Sequence, residues 1–152
     1  MVLSAFLLIV MIPPHGNTGG TGDGFLGYEW GTPWVEMQQR LGCDSVEAES
    51  GRVTVRCPLE SLGGADLESC ELEFLGGKFA GVAITTRGES NSHELLSYLV
   101  QLYGPRHREA VVAYQWLTAD AHISYDIDSA GDGYAYVYSL HLQETPDSSA
   151  SP

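Results

Sequence analysis

Apolar and polar positions alternate over much of this chain. Val53 and Val55 alternate with Arg52, Thr54 and Arg56, and Cys70, Leu72 and Phe74 alternate with Glu71 and Glu73. A period of two is that of a strand with one face buried. Ser50-Gly51 and Gly76-Gly77 interrupt the alternation where tight turns are expected, and the second predicts a hairpin into the strand Phe79 to Ile84. Three more segments rich in β-branched and aromatic residues, AVVAYQW, HISYDID and YAYVYSLHL, are separated by LTADA and SAGDG and predict three further strands. Elsewhere the period lengthens to that of a helix. Leu95, Leu96, Leu99, Leu102 and Tyr103 form one wide stripe, with Asn91 or Ser92 as the expected cap and Gly104-Pro105 as the stop. Thr32, Pro33, Trp34, Met37 and Leu41 predict a shorter helix of about nine residues ending at Gly42.

In this reading each half runs helix, then strands. The expected fold is α+β: a two-layer sandwich with two helices on one face of an antiparallel sheet, built from two αβββ units. The domain is expected to span residues 25–143. Before it, residues 16–24 (GNTGGTGDG) have the composition of a flexible linker, and the polar residues 144–152 read as a disordered tail.

Residues 1–15 change the picture of where the domain works. Val2 to Ile12 is apolar but for Ser4 and is followed by Pro13-Pro14. Such a run is too short to span a bilayer and matches the hydrophobic region of a signal peptide, although no basic residue precedes it. The expected location is periplasmic or secreted, with no stable membrane anchor. Leu41-Gly42-Cys43 resembles the end of a lipidation box but lies far from the apolar run, so lipidation is rejected.

Charge narrows the partners. Twenty acidic residues against seven basic ones give a net charge of -13, which disfavours nucleic acid and an anionic membrane surface. Eight Tyr, four Phe and three Trp supply a core, which argues against a disordered chain.

Cys57 and Cys70 bracket a loop containing Gly63-Gly64. If one ends a strand and the other opens the next, a disulfide would span the loop and contribute about 3 kcal/mol in a chain-entropy estimate. A Cys43–Cys57 bridge and free buried thiols are the alternatives. C-x12-C lacks the close pair of a zinc knuckle, so a zinc site is not expected there.

Two other constellations carry candidate chemistry. Asp126, Asp128 and Gly131 resemble the opening of a calcium loop, but Ala130 and Val137 occupy later ligand positions, and the segment reads as a hairpin turn. His122 shares a face with Asp126 and Asp128 by alternation, and His141 joins them in one strand register but not in the next. A cluster of these four would suit a metal or proton transfer. Tyr134, Tyr136 and Tyr138 alternate along the last strand; facing the helices they are core, and facing away, beside Trp116, they make a recognition surface. No nucleophile elbow or phosphate loop occurs in the sequence, so no catalytic residue, metal ligand or cofactor is assigned.

WGTPWVEMQQRLG and LEFLGGKFAGVAI…LLSYLVQLYGP resemble small exported bacterial domains of unknown function. Those domains share a W-G-T/S start, a short helix ending in L-G, an F-x-G-G-K-F/L hairpin and a helix ending in Y-G-P. The layout is similar to that of small outer-membrane assembly lipoproteins and of the β-lactamase-inhibitor-like fold. The resemblance implies short helices packed on an antiparallel sheet and no catalytic residues. The expected function is non-enzymatic binding of a protein or cell-envelope partner, with Tyr134, Tyr136, Tyr138, Trp116, His122 and His141 as candidate contacts. A small hydrolytic or metal-dependent enzyme using the His/Asp cluster is the alternative.

Overall fold

The computed structural model describes residues 24–41, 46–49, 51–105, 108–109 and 113–142. The signal-like segment, nearly all of the linker, the tail and Cys43 lie outside these residues.

A small hairpin of β1 (Gly24–Phe25) and β2 (Tyr28–Glu29) precedes α1 (Trp34–Leu41). Next come β3 (Val46–Glu49), β4 (Arg52–Arg56), β5 (Ser61–Leu62), β6 (Ala65–Leu75) and β7 (Lys78–Thr86). The second helix, α2 (Glu89–Tyr103), is followed by β8 (Arg108–Glu109), β9 (Tyr114–Leu117), β10 (Ala121–Ile127) and β11 (Gly133–Ser139). The main sheet is antiparallel in the order β3-β4-β6-β7-β11-β10-β9-β8, with β5 paired to β6. Each half therefore contributes one helix and a meander of four strands where the sequence predicted three. The last strand of each meander meets the other at the centre, β7 against β11.

Turn chemistry sets these registers. Leu75 pairs with Lys78 across Gly76-Gly77, whose φ angles of 55° and 76° fit a two-residue turn that follows strand twist. β6 is longer than the alternation around Cys70 suggests. It starts at Ala65, and a register shift between Leu67 and Ser69 puts the first stretch out of phase with the second. Cys70 thus lies inside β6 instead of opening it. Cys57 and Cys70 are buried and not joined by a disulfide, so the expected bridge is not formed here.

One face of the sheet holds the core. Val55, Leu72, Phe74, Val82, Ile84, Val137, Ile123 and Trp116 are all at most 1% exposed. Leu95 and Leu99 of α2 are fully buried, and the helix lies against β6, β7, β10 and β11. From α1, Met37 is fully buried and Trp34 meets Phe74 edge-on at 5.0 Å.

α2 starts before its expected caps. Gly88, with φ of 80°, precedes it, and the Gly88 N–H donates to Asp132 Oδ1 at 2.8 Å. Ser92 lies inside the helix instead, its hydroxyl donating to Gly131 O at 2.7 Å and Gly88 O at 3.0 Å. Tyr125 Oη donates to Ser92 O at 2.6 Å, and the Ser92 and Thr86 hydroxyls stand 3.0 Å apart. Gly133 leaves room for this buried polar node: a Cβ there would sit 2.4 Å from Tyr125 Oη and 2.6 Å from Thr86 Oγ1.

Candidate functional site

β11 alternates by size as well as by polarity. Gly133, Ala135, Val137 and Ser139 point inward and are buried, small enough for α2 to pack closely over them. The other parity is Tyr134, Tyr136 and Tyr138, which consequently project from the opposite face. Because β11 is a central strand, the three rings stand mid-sheet, flanked across the ladder by Thr85, Ala83 and Gly81 on β7 and by Asp126, Ser124 and His122 on β10. Of the three rings Tyr134 is exposed, whereas Tyr136 and Tyr138 are half-buried.

Tyr136 is fixed in place. Its phenol donates to Glu73 Oε2, and the other oxygen, Oε1, accepts from Arg52 Nε at 2.8 Å. Glu73 is only 14% exposed, so this chain across β4, β6 and β11 is partly shielded from water. Burial first, and then the Glu73 carboxylate, push the Tyr136 phenol above its ordinary range, so it remains a donor. Tyr138 lies 5.3 Å from the Tyr136 ring and 5.0 Å from that of His122, giving a ladder of three rings. Gly81 lies opposite both Glu73 and Tyr138, and a Cβ on it would be in ordinary contact with their Cβ atoms, at 3.6 and 3.5 Å.

Tyr136 separates two hollows. One, of about 310 Å³, is floored by Ala83 and Ser124, with Tyr134 as its far wall and Asp126 on its lining. The other, of about 400 Å³, lies towards Tyr138, Arg52, Leu75 and Leu142. Tyr134 is 46% exposed, and its hydroxyl donates to Asp128 Oδ2 at 3.2 Å. Beside that carboxylate its phenol is shifted upward, the charge of Asp128 being the chief cause.

The remaining predicted residues separate. Trp116 belongs to the core, not to the surface: it is 1% exposed and its indole N–H donates to Gly104 O at 2.8 Å, beyond the end of α2. His141 lies past the end of β11, where Nε2 is 2.8 Å from Asp120 Oδ1. His122 pairs across the ladder with Tyr138, so the two histidines do not meet. Asp126 does share the outer face with His122, opposite Tyr134, as alternation predicts. Asp128 instead organises the turn, its Oδ1 accepting from the N–H groups of Ala130 at 2.8 Å and Asp132 at 3.0 Å. Those bonds hold the Asp128 carboxyl below its usual range. The four-residue cluster is therefore not assembled, and among the described residues no three His, Cys, Asp or Glu side chains converge as a metal site.

Sequence reasoning missed Arg52, Glu73 and the small residues Gly81, Ala83 and Ser124. Strand alternation puts Glu73 on the outer face, but its pairing with Tyr136 depends on the β7–β11 seam, which joins the two halves of the chain.

No protein-family profile matches the chain. No curated protein matches it either. Among solved structures, a cysteine-rich secretory protein from Staphylococcus aureus is similar with a TM-score of 0.45 and 8% identity, over 74% of this chain and 45% of that one. The chain therefore spans less than half the length of that structure.

Proposed function

We propose that this is an exported, non-enzymatic binding domain that takes a basic, extended segment of a protein partner across the outer face of its sheet. The observation that carries this reading is the outward placement of Tyr134, Tyr136 and Tyr138 on a central strand, with Tyr136 held by Glu73. Tyrosines offer large contact area with little rotamer freedom to lose, and aromatic residues concentrate in recognition sites. Charge indicates the partner's chemistry. Asp126, Asp128 and Asp132 gather around Tyr134 on a chain of net charge -13, so Lys or Arg side chains complement it, and their cations suit the Tyr faces.

The proposed architecture behind that face is two layers, with both helices on the inward side and each half contributing one helix and its meander. Export rests on the signal-like run Val2 to Ile12, and the resemblance to small exported domains agrees with it.

The test is selection of peptides on the immobilised protein from a library of random sequences. Enriched sequences should carry net positive charge, bind more weakly as salt rises, and lose at least about tenfold in affinity to a Tyr134→Ala/Tyr136→Ala variant. Enrichment of acidic sequences, or binding indifferent to both substitutions, would overturn the reading.

A further inference from the structure

Cys57 and Cys70 lie on the inward side of the sheet and take no part in the tyrosine face. We propose that they form a reversible thiol–disulfide pair, in which Cys57 attacks a small-molecule disulfide of the glutathione class and Cys70 resolves the mixed disulfide.

The strand ladder sets the two cysteines opposite each other. Arg56 pairs with Glu71 in the β4–β6 register, so Cys57 faces Cys70 directly, and the Cys57 N–H donates to Cys70 O at 2.8 Å. Gly51 and Gly76, at the other end, are joined in the same way, Gly76 N to Gly51 O at 3.2 Å. The hydrogen-bonded pairs therefore fall at 51, 53, 55 and 57, and Cys57/Cys70 is one of them. In such a pair the Cβ atoms stand near the wide end of a range of about 4.5–5.5 Å, whereas a disulfide draws them to about 3.8 Å. The site holds two thiols without distortion and closes into a disulfide only by pulling the strands together. A bond made under that constraint is readily reduced, unlike a structural staple.

The pair is also asymmetric. β4 ends at Arg56, so this rung closes the β4–β6 ladder, and Cys57 is 7% exposed against 1% for Cys70. The Cys57 thiol is lowered to about 6, chiefly by its hydrogen bond with the Cys70 thiol, while burial acts in the opposite direction. Cys57 is accordingly the less buried of the two sulfurs and the one whose thiolate the pair favours.

The Cys57 thiolate attacks one sulfur of the small disulfide, the S–S bond breaks, and one thiolate leaves. Cys70 loses its proton to solvent and attacks Cys57 Sγ, releasing the second thiolate. Two protein thiols are oxidised, and one small disulfide is reduced to two thiols.

The test uses the full chain with Cys43→Ser, so that only this pair reports. Incubation with oxidised glutathione at pH 7, acid quenching and intact-mass measurement should show loss of two hydrogens, reversed by reduced glutathione without denaturant. Adding Cys70→Ser should trap one glutathione on Cys57, and Cys57→Ser should slow adduct formation at least about tenfold. Should either variant fail to fold, brief alkylation of the native reduced protein followed by peptide mapping gives the same answer, with Cys57 modified before Cys70. Overturning results are an oxidised pair that resists excess reduced glutathione, equal adduct formation in both variants, or Cys70 modified first.

Discussion

Gly133 shows how much of this protein depends on single positions. Its missing side chain makes room for Tyr125 Oη, Thr86 Oγ1 and Ser92 Oγ, the polar node under the start of α2. Gly133→Ala is expected to cost about 1–3 kcal/mol by overpacking, read as a lower urea midpoint at unchanged slope. Glu73 is the corresponding position on the outer face. Glu73→Gln removes the charge that supplements burial in raising the Tyr136 phenol, so in an ultraviolet titration one tyrosine should ionise at lower pH than in the parent. At Cys57 the folded thiol lies near 6 and the ordinary value is 9.0. A depressed folded value adds stability that is complete above the unfolded value and is lost as pH falls through the folded one. In reducing buffer, the difference in urea midpoint between the parent and Cys57→Ala should therefore grow from pH 6 to pH 9. A difference that stays flat over that window would contradict a lowered thiol.

At the scale of elements, α2 is held by contacts from distant parts of the chain. Asp132, in the β10–β11 turn, accepts from Gly88 N at its start, and Trp116 donates to Gly104 O beyond its end. Asp132→Ala should cost about 1 kcal/mol, the usual value for a lost N-terminal acceptor, and should raise hydrogen exchange in the first turn more than in the last. These bonds explain what could be read in advance. The Leu95, Leu99 and Tyr103 stripe identified the helix, and Gly104 its end, because both signals are local. Its start was misplaced because Gly88 takes its carboxylate from a residue 44 positions away. Strand existence followed from alternation, whereas β6 lost its first half to a register shift that alternation cannot anticipate. The direction of the β11 tyrosines was left open between core and surface, and the structure turns them outward because the opposite parity, Gly133, Ala135, Val137 and Ser139, is the buried one. The Arg52–Glu73–Tyr136 chain was not legible, since it depends on which strands meet at the centre.

For the whole molecule, the β7–β11 seam matters most. It joins the two meanders into one sheet, and α2 covers strands from both. Residues 24–86 alone would leave β7 as an open edge and the inward face of β6 without its helix. That fragment should give collapsed, poorly dispersed amide spectra where the full chain gives dispersed ones. The seam also assembles the proposed recognition face, with Glu73 and Arg52 from one half and the tyrosines from the other. The most direct test is photo-crosslinking in the expressing host, with a benzophenone amino acid placed at Tyr134 and, as controls on the helices, at the exposed Val35 and Val100. A discrete adduct with a basic protein segment is expected from position 134 and none from the two controls. Adducts from the helix positions with none from 134 would contradict the proposed recognition face.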